Sequence, residues 1–335
     1  MWLLYFWEMK ILTFCSLLFF FISCGETSHS DARGDEPLID SNSTQDIAEP
    51  IETEIVVLGT AQDAGYPQID CKKSCCQAYW AGQRDKEEVT CLGIVDRKAQ
   101  KSWLIEATPD ITSQWQQLEQ DCPECEFSGI IITHAHIGHY TGLMHLGREA
   151  MGGMDIPVYA MPRMTKFLSE NGPWSQLVDL SNIQLKVMTA DSTLELSENI
   201  SLTPYQVPHR DEFSETVGFK IQGPVSAALF IPDIDKWERW DRDIAELLID
   251  CEYAFLDGTF FDGNELPGRN MNEIPHPFII ESMRLFDSNK QIDKSKIHFI
   301  HFNHTNPLLN ITAPEGIRVI EAGYSIADKN GIYPI

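Results

Sequence analysis

The chain has 335 residues, 43% of them hydrophobic and 22% charged, the balance of an ordinary globular protein long enough for one large domain or two small ones. Its net charge of −25 at pH 7, with no dense Lys/Arg stripe, would repel a phosphate backbone and argues against a nucleic-acid partner. Acidity otherwise reports mainly on solubility.

Lys10 precedes an apolar run over 11–22, which leads into Ser23-Cys24-Gly25. A basic residue, a short apolar core and a small-residue cleavage point make a secretory signal peptide, too short to span a membrane comfortably. Phe21-Ile22-Ser23-Cys24 resembles a bacterial lipobox, which implies lipidation of Cys24, a membrane anchor, and an exported cell-envelope (periplasmic or outer-membrane) lipoprotein. The alternative is a plain signal peptide with an incidental cysteine. Residues 25–51 are rich in Ser, Asp, Glu and Pro without a periodic apolar face, so they read as a flexible tether. The folded domain is expected over 52–335.

Within that domain, Glu54 to Gly59 is a β-branched run ended by glycine and reads as a strand, as do 91–96 and 102–107. The run 129–133 is continuously apolar, as expected for a strand buried on both faces. Further strands are expected at 183–188, 200–207, 216–222, 226–231, 252–257 and 297–301, with helices near 110–120, 140–151, 163–170, 235–249 and 277–287. Strands in clusters with helices between them predict α/β layers, two sheets beneath outer helices.

Directly after the run 129–133 comes Thr133-His134-Ala135-His136-Ile137-Gly138-His139, followed by Gly142-Leu143 opening the next predicted helix. Neutral imidazole is the commonest metal ligand, and histidines two apart can both point inward from a tight loop. The cluster therefore reads as a metal site.

This segment resembles the HxHxDH signature of the metallo-β-lactamase superfamily, and further positions fall in the superfamily's order: His209 after Val207-Pro208, Asp233 after Phe230-Ile231-Pro232, and His301 after Ile297 to Ile300. The resemblance covers roughly 54–325 and implies an αββα sandwich with His134, His136, His139, His209, Asp233 and His301 as metal ligands. Within the superfamily, the loops Gly59 to Gln68, Ala107 to Ile111, Asp257 to Phe260 and His301 to Leu308 resemble the pyrroloquinoline quinone biosynthesis protein B group.

One position departs from the pattern. The superfamily's aspartate between the histidines, which normally binds the second metal, is Gly138. Either a single metal is used, or His304 or a water fills the gap. Zn2+, one or two ions, is the expected cofactor, and iron is the other candidate because two histidines and a carboxylate also suit non-heme iron. Coordination to zinc lowers the pKa of a bound water to about 7, which makes hydroxide available for attack on a small ester, lactone, amide or phosphodiester. Asp233 would bridge the metals or act as a base, its alternative being a helix N-cap, and His304 or His276 would protonate the leaving group. Glu106, Asp63 and Asp257 each have two readings: a carboxylate that orients a ligand histidine from behind, or a solvated turn residue.

The cysteines divide into groups. Cys71, Cys75 and Cys76 stand where the related group carries a cluster resembling a structural zinc knuckle, though the C-x3-C-C spacing differs, and disulfides are the alternative in an exported protein. Cys122 and Cys125 form a separate C-x2-C. An odd number of mature cysteines besides Cys24 leaves one expected to be free, with Cys251 assigned that place. Two functional readings survive: a metal-dependent hydrolase, or an iron-dependent oxygen-using enzyme or binding protein on the same fold.

Overall fold

The computed structural model describes residues 52–266, 268–270 and 273–335; the signal-peptide, lipobox and tether assignments fall outside them. The first sheet comprises β1 (Thr53–Gly59), β2 (Cys91–Asp96), β3 (Lys101–Ile105), β4 (Glu126–Ile131), β5 (Ile156–Ala160) and β6 (Ile183–Val187). The second runs through β7 (Leu194–Glu195), β8 (Ser201–Gln206), β9 (Val217–Gln222), β10 (Ala227–Ile231), β11 (Tyr253–Asp257), β12 (Ile297–Ile300) and β13 (Ser325–Ile326). The last strand, β14 (Ile332–Pro334), returns to the first sheet and pairs antiparallel with β1. Each sheet therefore has seven strands, in the orders β14-β1-β2-β3-β4-β5-β6 and β13-β12-β11-β10-β9-β8-β7. Both are antiparallel at one side and parallel at the other, from β3 to β6 and from β10 to β13.

Alternation along the strands explains the layers. Ile55 and Val57 of β1 turn toward Phe219, Phe230 and Phe255 of the other sheet, and with Trp103 and Ile300 they form the central core. Val56 and Leu58 point the other way, against α2 (Ile111–Asp121) and its Ile111 and Leu118. The helices α4 (Pro162–Glu170) and α5 (Trp174–Asp179) cover the same face through Met164, Leu168 and Leu177. On the far side, α6 (Ile244–Ile249), α7 (Ile279–Ser288) and α8 (Pro314–Glu321) pack Leu248, Met283, Phe286 and Val319 onto Leu229, Leu256 and Phe299. Both faces of both sheets are apolar, so the arrangement is the expected αββα sandwich.

Departures from the sequence reading have local causes. The helix expected over 140–151 is instead a single turn, α3 (Ile137–Tyr140), followed by a 3-10 segment Thr141–Leu146. Gly142 lies directly on the backbone of the β3 loop, its N–H donating to Ala107 O at 2.8 Å, and a Cβ there would stand 2.8 Å from the same oxygen. The helix expected over 235–249 is confined to α6, because Asp243 caps its start by accepting from Ala245 N and the preceding residues form a 3-10 turn at Trp237–Arg239. Pro157 hid β5, and the cysteine-rich α1 (Ser74–Trp80), together with α5 and α8, was absent from the sequence reading. Among the described residues no helix is long and apolar enough to cross a membrane.

Phe230, fully buried between the sheets just before the Asp233 loop, is expected to be a keystone of this core. Phe230→Ala should lower stability by about 3–5 kcal/mol in urea denaturation; a loss under about 1 kcal/mol would mean that the inter-sheet layer is not close-packed.

Candidate metal centre

The residues singled out in the sequence lie at or just past strand ends. In the first half, Glu106 follows β3, His134 and His136 follow β4, and His139 sits in α3. In the second half, His209 follows β8, Asp233 follows β10, Asp257 closes β11 and His301 follows β12. Asp63 comes from the loop after β1. Strand-end loops on a rigid scaffold are where such folds place function, and here both halves aim theirs at one spot.

Two candidate ligand sets without Asp233 meet there, and two more groups run through it: His134, His139 and Asp233, and His209, Asp233 and His276. His134, His136 and His209 offer nitrogens within 4.8 Å of one another, as do the ligand atoms of Asp63, His139 and His301. Asp233 lies between them: Oδ1 is 3.5 Å from His209 Nε2, while Oδ2 is 3.1 Å from His139 Nε2 and 3.2 Å from His301 Nε2. One carboxylate thus faces both sets.

Orientation comes from the residues behind. Glu106, completely buried and with φ +86°, accepts from Thr133 Oγ1 at 2.5 Å and lies 3.1 Å from His139 Nδ1, which turns His139 Nε2 inward. The Thr133 hydroxyl also contacts His134 Nδ1 at 2.9 Å and leaves Nε2 for the centre. In the other half, Thr259 Oγ1 donates to Asp257 Oδ1 at 2.7 Å and stands 3.0 Å from His301 Nδ1. Asp257 Oδ2 lies 2.8 Å from Nδ1 of His276. His301 itself has φ +68°. Left-handed backbone at non-glycine residues carries a strain cost that surrounding structure must offset, and it concentrates at functional sites.

The electrostatics ask for a cation. Burial pushes the imidazoles of His134, His209 and His301 down, His209 to about 3, so they are neutral and keep lone pairs to donate. His139 is the exception: burial alone would lower it, but the carboxylates of Glu106, Asp233 and Asp63 hold it well above its ordinary value. Burial alone would raise the Asp233 carboxyl, but the imidazoles of His301 and His139 that face it hold it well below the carboxylate range. Among the described residues, no Lys or Arg forms an ion pair with Asp63, Glu106 or Asp233. His139 Nε2, both ring nitrogens of His209, Asp233 Oδ2, Asp63 Oδ1 and His301 Nε2 are buried without a hydrogen-bond partner. Such atoms are costly unless a shared ion satisfies them, and two imidazole-carboxylate sets joined by one aspartate fit divalent metal.

Residues 102–302 match the family model described as the Beta-lactamase superfamily domain. The chain belongs to this superfamily. It is 24% identical over 297 residues to coenzyme PQQ synthesis protein B of Methylorubrum populi, covering 82% of this chain and 97% of that one. Its fold matches the crystal structure of zinc-bound PqqB from Methylobacterium extorquens with TM-score 0.70 and 20% identity, over 84% of this chain and all of that one. It also matches a diphosphatase of the PhnP family with TM-score 0.60 and 19% identity, over 84% of this chain and 96% of that one. The resemblance to the quinone-biosynthesis group thus extends beyond the loops that suggested it.

Against this superfamily frame, the centre gathers His134, His136, His139, His209, Asp233 and His301. Asp233 does not cap a helix, since the helix start belongs to Asp243. Glu106 and Asp257 are fully buried orienting groups rather than solvated turn residues. Asp63, read as an orienting group or a turn residue, has a carboxylate oxygen within 4.8 Å of the ligand nitrogens of His139 and His301.

His304 is the clear relocation. Its ring belongs with Cys71, Cys75 and Cys76, the four ligand atoms lying within 4.8 Å of one another, and it neither fills the gap at Gly138 nor stands among the reacting groups. These three cysteines are free thiols, whereas Cys122 and Cys125 form a disulfide. Cys91 and Cys251 are also free, so the expectation of a single free thiol is corrected. Sequence reasoning missed Thr133 and Thr259, hydroxyl relays that carry no motif.

Glu106→Gln keeps the shape of its side chain but removes the charge behind His139. It is expected to weaken metal binding to the centre by about 10–100-fold with the fold intact, checked by competition against a chromogenic chelator; unchanged affinity would make Glu106 a purely structural residue.

Proposed function

We propose that the chain is a metal-dependent hydrolase of small ester-type substrates, with phosphodiesters favoured. The observation that carries this reading is the set of buried, unpartnered nitrogen and oxygen atoms from both halves, joined through Asp233. His134, His136 and His209 would hold one zinc ion, and His139 and His301 a second, with Asp233 between them. Zinc held there would supply Lewis acidity and a water made acidic enough to ionise near neutral pH. Asp233 fixes the spacing of the two sets and, with Glu106 and Thr259 behind the histidines, keeps the ligand nitrogens aimed inward. His276 is the proton donor to the leaving group. Its Nδ1 lies 3.8 Å from Asp233 Oδ1, and although burial alone would lower its pKa, Asp257 raises it above the ordinary value, so it carries a proton to give.

The preference for phosphodiesters rests on charge and on likeness. Two cations would suit an anionic substrate in an otherwise acidic protein. A polar cleft of about 610 Å³ at the cysteine–His304 group adds Lys72, Lys73 and Arg269 beside Asp70. One fold relative is a diphosphatase. The substrate is a small molecule rather than a nucleic acid, because the rest of the surface is acidic. Cys71, Cys75, Cys76 and His304 would hold a further, structural zinc, the donor set being complete and tetrahedral in type. The run 11–22 ending at Cys24 supports export and a lipid anchor on that cysteine, with 25–51 as the tether.

A second reading is iron-dependent oxygen chemistry related to quinone cofactor biosynthesis; the curated relatives, coenzyme PQQ synthesis proteins by name, bear on the quinone link and not on the metal. Metal analysis of protein purified without added metal separates the two. The hydrolase reading expects zinc, cleavage of bis(p-nitrophenyl) phosphate that a chelator abolishes, and loss of centre zinc in His134→Ala and Asp233→Asn. Iron with oxygen consumption and no ester cleavage would replace it with the second reading. His276→Asn should retain metal while kcat drops by roughly 100-fold or more. Cys24→Ala should move the protein from the membrane to the soluble envelope fraction; persistence in the membrane fraction would exclude Cys24 as the anchor.

A further inference from the structure

Gly138 stands where the superfamily's signature has an aspartate, and nothing about its own backbone calls for glycine. Its φ is not left-handed, and it lies inside the short helix α3. What excludes a side chain is occupancy. A Cβ built on Gly138 would come within 2.5 Å of Asp63 Oδ1 and 3.1 Å of Asp63 Cβ, and closer still to Asp63 Cα. The space that a residue-138 side chain would enter is filled by Asp63 of a different loop, by its backbone as well as by its carboxylate.

That carboxylate is placed with care. Asp63 Oδ1 is 3.0 Å from His139 Nε2 and 4.0 Å from His301 Nε2, buried and without a hydrogen-bond partner. The loop that carries it is tied to the loop that carries His301: Gln62 N donates to Phe302 O at 2.8 Å, and Phe302 N donates to Thr60 O at 2.8 Å. Gly65 N closes a turn on Gln62 O at 2.7 Å around Asp63 itself. Asp63 and His301 are therefore set in position as a pair.

We infer that Asp63 is a ligand of the second metal and takes the chemical place of the aspartate missing at 138, so that carboxylate at 63 and side chain at 138 are mutually exclusive solutions to one site. The inference rests on the two-metal reading above. It restores to the second set the oxygen donor that Gly138 lacks: Asp63, His139, His301 and the shared Asp233. It also replaces the earlier alternatives of a single metal or of His304.

The test is a set of substitutions read by metal content rather than by activity. Zinc per chain is measured by elemental analysis after equilibration and gel filtration, in a Cys71→Ser background so that the cysteine group does not contribute. The parent is expected to hold two ions. Asp63→Gly should hold one, or bind the second at least about 100-fold more weakly, since even outer partners of ligands are worth about 10–100-fold. Asp63→Asn should show the same loss with the side-chain volume kept, which separates ligation from packing. Gly138→Asp should lower the melting temperature, because its side chain would meet both the backbone and the carboxylate of residue 63. Two tightly bound ions in Asp63→Gly and Asp63→Asn would overturn the inference while leaving the metal centre standing. A parent that binds no ion in the centre would sink both this inference and the hydrolase reading.

Discussion

The structure depends on one constraint: four carboxylates, Glu106, Asp233 and Asp257 buried and Asp63 partly so, meet a ring of imidazoles where the two sheets' loops come together, and no Lys or Arg pairs with them among the described residues. Removing a carboxylate from water without a partner is expensive, far beyond what neighbouring hydrogen bonds offset. Glu106 and Asp257 solve the problem locally, through Thr133, Thr259 and the far nitrogens of histidines. Asp233 and Asp63 do not. Their inward oxygens face histidine nitrogens that also lack hydrogen-bond partners, so the same cation that satisfies one satisfies all. Ligand pKa directions agree: histidines depressed by burial are ready donors, and Asp233 stays ionised.

The sandwich exists to hold that arrangement. Because strands β3 to β6 and β10 to β13 run parallel, their C-terminal ends gather on one edge of each sheet, and the inter-sheet core of Trp103, Phe219, Phe230 and Phe255 fixes the two edges against each other. Neither half alone assembles either of the two sets: His209 of the second joins His134 and His136 of the first, and His301 of the second joins Asp63 and His139 of the first. The first brings His134, His136 and His139; His209, Asp233 and His301 come from the second. Packing between the sheets and formation of the site are thus one event.

How much of this was legible in the sequence follows from where the information lies. Strands such as β1, β2 and β10 read clearly because both faces are buried and the run is continuously apolar. β5 did not, because Pro157 is a poor strand signal, and the expected helices 140–151 and 235–249 were cut short by contacts that only tertiary structure reveals: Gly142 on the β3 loop and Asp243 as cap. In the site, His134, His136 and His139 announce themselves by adjacency. Asp63 could not, since it sits in another loop and its role is defined by the side chain that Gly138 lacks. His301 and His304 look equivalent in sequence, yet they belong to two different donor groups.

That last separation shows how the two groups are mechanically related. His301 and His304 share a loop, and Asp63 and the cysteines share another: Tyr66, in between, donates its hydroxyl to Cys75 O at 2.7 Å. Backbone bonds between Gln62, Thr60 and Phe302 already stitch these loops together on the side of the centre. A cation held by Cys71, Cys75, Cys76 and His304 would close the same pair of loops on the other side, converting two flexible connections into a frame fastened at both ends. The second set then draws its carboxylate and one of its histidines from that frame, so the geometry of Asp63 and His301 would be maintained by a group that never touches the reaction. This accounts for why a loop carboxylate can stand in for one on the α3 turn: a ligand on a loop is as precise as one on a helix only when the loop is pinned on both sides of it.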